Sequence, residues 1–102
     1  MARRNQFTVD AESVQGNAGA EITFKRLTFG TRQRYFDLED KYNDADLLRE
    51  HVLDWKGIED DEGNEIPSPK DQPGVEATLY WEEIVAIGRL LLQGSDGEHA
   101  KN

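Results

Sequence analysis

Between Tyr80 and Leu92 the apolar residues fall on two adjoining lines. Tyr80, Ile84, Ile87 and Leu91 recur at i, i+4, i+7 and i+11, and Trp81, Val85, Gly88 and Leu92 run beside them. This is the 3.6-residue period of an α-helix. It predicts a long final helix over about 75–93, with Gly94 as its C′ residue. A helix apolar over so wide an arc must be covered on more than one side. Either it sinks through the core of a small domain, the commoner arrangement, or one line meets the core and the other a neighbouring protein. No other segment restricts the fold as much.

The remaining elements are shorter. Ile22 and Phe24 alternate with charged and polar residues, which predicts a strand, and Phe7 and Val9 suggest a weaker one. Joined through the glycine-containing stretch at 15–20, they would form an N-terminal β-hairpin. Thr28 or Thr31 can cap a first helix, on which Tyr35, Leu38 and Tyr42 share a face widened by Phe36. Asp44 can cap a second helix reaching Leu53, with Leu47, Leu48, His51, Val52 and Trp55 on one broad face. Pro67, Pro69 and Pro73 then make the following stretch a loop. The fold class expected is α+β: one small domain with an N-terminal β-hairpin, two short helices, a second β-hairpin around 55–67 and a long C-terminal helix. Residues 1–20 read as a flexible or weakly ordered segment, 21–94 as the globular domain and 95–102 as a disordered tail.

A chain of 102 residues is one domain long. It has no cysteine, so disulfides, zinc–thiolate sites and thiol nucleophiles are excluded. The start, Met1-Ala2-Arg3-Arg4-Asn5, has no apolar run behind it, which argues against a secretory signal. The apolar stretch at 84–92 is interrupted by Gly88 and Arg89 and is too short to span a bilayer. A soluble, intracellular protein with no membrane contact is expected.

The net charge of −9 is unevenly spread. Residues 1–36 carry six Lys/Arg against three Asp/Glu, 37–65 three against twelve, and 66–102 three against six. Proteins that bind nucleic acid directly usually show the opposite balance, because neutralised phosphates supply most of the affinity. Acidic faces are most often simply solvated.

Enzyme chemistry finds little support. His99 lies in the expected tail, and His51 sits alone on an apolar helix face, where a packing role is commoner than a ligand role. Neither belongs to a metal-ligand spacing. Ser13, Ser68 and Ser95 fall in loops or tail, outside any nucleophile-elbow pattern, and no phosphate-binding glycine fingerprint occurs. No catalytic residue, metal ligand or cofactor-binding residue is assigned, and no cofactor is expected.

The stretch DWKGIEDDEGNEIP, residues 54–67, looks at first like a calcium loop. With Gly63 as sixth residue, the first position is Ile58 and the twelfth, which should be a bidentate glutamate, is Pro69. An EF-hand is excluded. Trp55, Ile58 and Ile66 read instead as apolar anchors of a hairpin, with Asp61-Glu62-Gly63-Asn64 as turn. Trp55, Gly57, Gly63 and Pro67 set its shape.

These residues also carry a family resemblance. His51-Val52-Leu53-Asp54-Trp55-Lys56-Gly57-Ile58, the acidic turn from Asp60 to Asn64, Ile66-Pro67 and a closing helix together resemble small tailed-bacteriophage proteins. The similar proteins are classed as tail assembly chaperones or minor tail-associated proteins. The step Ile22-Thr23-Phe24-Lys25-Arg26-Leu27-Thr28-Phe29-Gly30 is similar as well, so the likeness covers about residues 21–93. It departs at Ser68-Pro69-Lys70-Asp71-Gln72-Pro73, where two prolines precede the last helix.

The resemblance implies a non-enzymatic protein that binds another phage protein, a tape-measure, tail or other virion subunit, in the host cytoplasm during tail assembly. Homo-oligomers are compatible with it. An amphipathic partner helix could lie along Tyr80, Trp81, Ile84, Ile87 and Leu91, with Trp81 as anchor. Two other readings stay open. One is a structural virion component, such as a minor capsid, connector or tail protein. The other is an acidic nucleic-acid mimic that inhibits a host protein.

Overall fold

Alternation of apolar and polar side chains in the first quarter of the chain produces two paired strands. In the computed structural model, which describes residues 5–37 and 39–95, β1 (Gln6–Asp10) lies antiparallel to β2 (Glu21–Lys25). Phe7 stands opposite Phe24 and Val9 opposite Ile22, and the two phenyl rings meet at 5.5 Å between centroids. β3 (Val52–Lys56) joins the other edge of β2, setting Trp55 opposite Ile22. The strand order is β1-β2-β3, so the central strand is the one whose Ile22 and Phe24 are fully buried. Among the described residues the fold is α+β: this three-stranded antiparallel sheet, four α-helices and one 3₁₀ turn.

The helices are α1 (Glu12–Gln15), α2 (Phe29–Phe36), α3 (Asp44–His51) and α4 (Trp81–Ser95). Thr28 Oγ1 accepts from the Thr31 amide and caps α2. Asn43, rather than Asp44, caps α3: its side chain accepts from the Asp46 amide while the Asp46 carboxylate accepts from the Asn43 amide. This reciprocal capping box satisfies two amides that the helix itself leaves unpaired.

Several expectations are corrected. α3 stops at His51, and Val52 and Leu53 belong to β3. Pairing with β2 overrides the helical apolar pattern that continues through them. Residues 6–20 are part of the domain: Val9, Ala11, Val14 and Ala20 are buried in the one core. α2 ends at Phe36, so Tyr42 is not on it, although Tyr42 is buried. Leu38 and 96–102 lie outside the described residues. Residues 75–78 form a 3₁₀ turn, and α4 starts only at Trp81.

α4 packs against α1, α3 and β1. At its start, the Glu83 carboxylate accepts from Gln15 Nε2 at 2.6 Å. Near its end, Gly94 sits inside the helix, not at a left-handed C′ position. A Cβ there would lie 2.4 Å from Phe7 Cε2. Glycine is needed because the Phe7 ring presses on the helix, not because the helix turns.

Candidate interaction surface

The stripe expected to receive a partner divides in two. Ile84, Ile87 and Leu91 are 9%, 0% and 0% exposed and belong to the core cluster with Val9, Phe24 and Leu47. They are closed to a partner in this fold. Only Tyr80 and Trp81, 56% and 68% exposed, are open. Val85 and Leu92 on the neighbouring line are half-buried, and Gly88 is buried. The outward part of α4 is thus an aromatic head followed by a partly covered aliphatic strip.

The head is held in place by its neighbours. Glu83 Oε1 accepts from the Tyr80 amide at 2.8 Å, and the Tyr80 hydroxyl donates to Asp61 at 2.5 Å. That hydrogen bond, with the surrounding carboxylates, raises the Tyr80 phenol above its ordinary pKa. Beside the ring, Gln15, Asn17, Glu59, Asp60 and Asp61 line an open cleft of about 540 Å³.

The acidic stretch that borders the cleft is a turn. Ile66 N donates to Ile58 O at 2.7 Å, Asp60 N to Asn64 O at 2.9 Å, and Gly63 N to Asp60 O at 3.0 Å. Glu59 and Glu65 form a single isolated bridge, so the second hairpin is short. Asp60 Oδ1 accepts from the amides of Glu62 and Asn64, both at 2.9 Å. A carboxylate that resembled a metal ligand therefore closes its own turn. Among the described residues no group of three or more His, Cys, Asp or Glu is arranged to hold a metal ion, and no helix is long and apolar enough to cross a membrane.

The shape-setting residues have separate tasks. Trp55 is buried and its indole Nε1 donates to Ile66 O at 3.1 Å, tying β3 to the far side of the turn. Gly57 has φ +77°, and a Cβ there would come within 2.8 Å of the Ala20 backbone. Gly63 has φ +85° in open space. Pro67 is exposed immediately after the buried Ile66. His51 is buried, and its Nδ1 hydrogen-bonds with the Leu47 carbonyl at 2.8 Å, in keeping with a packing role.

α2 carries a second exposed surface. α2 buries none of its residues and exposes Phe29 by 74% and Phe36 by 57%. Arg32 lies over the Phe36 ring at 5.3 Å. Phe29 and Phe36 are seven residues apart, so they share one helix face. Their spacing is legible in the sequence, but spacing alone does not say which side of the helix the core occupies.

No family model, curated protein or solved structure matches this chain.

Proposed function

We propose that this chain is a non-enzymatic tail assembly chaperone-like protein of a tailed bacteriophage, one that holds another phage protein during tail morphogenesis. The observation that carries the reading from the structural side is the solvent-exposed Trp81. A large exposed aromatic at the head of an amphipathic helix is the kind of residue that anchors a protein interface. The half-buried Val85 and Leu92 continue its line along α4, as a groove for an amphipathic helix would require. The sequence likeness over 21–93 supplies the phage context. The acidic surface keeps such a binder soluble and disfavours wrong contacts.

The test is co-purification with the products of neighbouring genes. Replacing Tyr80 and Trp81 by alanine should abolish capture of a tape-measure or tail subunit while the fold stays intact. Capture unaffected by both substitutions would remove α4's head from the interface. Mass spectrometry of purified particles then separates a chaperone, which is absent from them, from a virion component retained at fixed copy number.

A further inference from the structure

The two outer strands of the sheet differ in how they meet solvent. β1 and β3 each lie beside β2 at an edge, and an edge strand presents unpaired amides and carbonyls that another strand can join. The β3 edge is guarded. Its pairing with β2 slips between Thr23 and Phe24, an irregularity of the kind that bends a strand away from neighbours. The amides it turns outward are already taken. Asp54 Oδ1 accepts from the Trp55 amide at 2.9 Å, and Glu65 Oε1 accepts from the Gly57 amide at 3.1 Å.

β1 has no such protection. Its pairing with β2 runs in unbroken register from Gln6 to Asp10. Just beyond its ends, Asn5 O accepts from Arg26 N and Ala11 N donates to Ala20 O, both at 2.8 Å. Alternation along an antiparallel ladder then directs the amides and carbonyls of Phe7 and Val9 to β2, and those of Gln6, Thr8 and Asp10 outward. These outward residues are exposed, and no backbone hydrogen bond from another described segment reaches them. The strand, QFTVD, contains neither the proline nor the lysine that commonly blunts an edge.

This edge is complementary to itself. Turned about a two-fold axis at Thr8, a second β1 sets Thr8 opposite the partner's Thr8 and Gln6 opposite the partner's Asp10. That antiparallel register uses every outward group of both strands, about six backbone hydrogen bonds. It keeps the two Asp10 carboxylates roughly 14 Å apart. Sliding the register towards Asp10 loses hydrogen bonds and brings the carboxylates together. On the core face the half-buried Phe7, whose ring already meets Phe24, gains the partner's Val9 as a cross-strand neighbour. On the outer face Thr8 shares a hydrogen bond with Thr23 at 2.8 Å, and the partner's Thr8 extends that row.

We propose that the chain forms a two-fold dimer through β1, joining the sheets of two copies into one. The contact is isologous, so it closes at two copies. The guarded β3 strands become the outer edges of the joined sheet and resist further addition. Backbone hydrogen bonds hold the contact, so salt that screens the −9 charge of each copy strengthens it. The inference does not depend on what else the protein binds.

The test is sedimentation of the full chain. The wild-type mass should rise with concentration from 11.6 kDa and level off at twice that value. Thr8→Pro removes an outward amide without touching the β1–β2 ladder, and should weaken the dimer at least about tenfold. Because Thr8 faces itself only in this register, charge at that position gives a second readout. Thr8→Lys and Thr8→Glu each set like charges opposite one another and should dimerise about fivefold more weakly. Their equimolar mixture should recover wild-type strength. Circular dichroism checks that the variants fold, and the Lys/Glu pair carries the test alone if Thr8→Pro does not. A wild type that remains monomeric at millimolar concentration overturns the proposal, as does growth beyond the dimer. So does a folded Thr8→Pro that associates as strongly as wild type, or a mixture no stronger than its components. Amides of Gln6, Thr8 and Asp10 that gain protection from deuterium exchange only with an added extended peptide would assign the edge to a foreign strand and overturn it too.

Discussion

Gln15 pairs with Glu59 as though its side chain were a neighbouring strand: Nε2 donates to the Glu59 carbonyl at 2.7 Å, and Oε1 accepts from the Glu59 amide at 2.8 Å. The same amide nitrogen also reaches Glu83. One side chain from α1 thereby fastens the acidic turn to the head of α4. Gln15→Ala leaves the partly buried backbone groups of Glu59 without their partners and should cost about 1–3 kcal/mol. Urea denaturation measures this, with exposed Gln33→Ala as a control expected within about 0.5 kcal/mol of wild type.

Gly57 and Gly63 share a left-handed backbone but not a neighbourhood. Gly63→Ala pays only the conformational term, roughly 1–2 kcal/mol. Gly57→Ala adds a clash with the Ala20 backbone, which has no flexible side-chain end to move aside. Its destabilisation should clearly exceed that of Gly63→Ala in the same urea experiment. Equal costs would mean that the β2–β3 edge yields easily at Ala20.

α4 should separate folding from binding. Ile87→Ala and Leu91→Ala remove fully buried side chains and should each cost about 2–5 kcal/mol. Trp81→Ala, at an exposed position, should change stability by about 0.5 kcal/mol or less. Thermal melts of the three variants check the division, and a large loss for Trp81→Ala would place it in the core.

Two tyrosines set an alkaline limit. The Tyr35 hydroxyl donates to Asp44, and this bond, aided by burial, pushes its pKa up to about 12. Burial, then the hydrogen bond to Glu50, raises Tyr42 well above its ordinary value. An unfolded tyrosine ionises near 10. The neutral phenols therefore favour the folded state fully below pH 10, and that contribution is lost as pH rises from about 10 towards 12. Stability should fall over this window in wild type and fall less in Tyr35→Phe, which lacks the titrating group. Parallel pH curves for the two proteins would contradict this.

How much of this could be read beforehand depended on whether the signal was local. α4 announced itself because Ile84, Ile87 and Leu91 repeat at helical spacing, and β2 because Ile22 and Phe24 alternate. The acidic turn was legible from Gly63 and its polar neighbours. The sharing of one sheet by β2 and β3 was not, because the Ile22–Trp55 pairing joins residues far apart in the chain. Nor was the burial of residues 6–20, where Ala11 and Ala20 are fully enclosed yet contribute little apolar signal. At the candidate surface, periodicity identified which α4 residues align but not which side of the helix the sheet would occupy. Tyr80 and Trp81 remain open, while the three aliphatic residues face inward.

Because α2 buries none of its residues fully and rests on the core through the half-buried Tyr35, its loss would expose little apolar surface that is not already wet. It is attached chiefly near its end, by Tyr35, which packs against the core and donates to Asp44, and by Arg34, which lies over the Tyr42 ring at 4.5 Å and pairs with Asp40 at 3.1 Å. The amides of α2 should accordingly exchange with deuterium through local opening, well before those of β2, which need the whole core to open. Its free energy of opening then enters any association through this helix. A partner that engages Phe29 and Phe36 must first hold the helix closed, and a substitution that strengthens α2 alone would tighten binding without adding a contact.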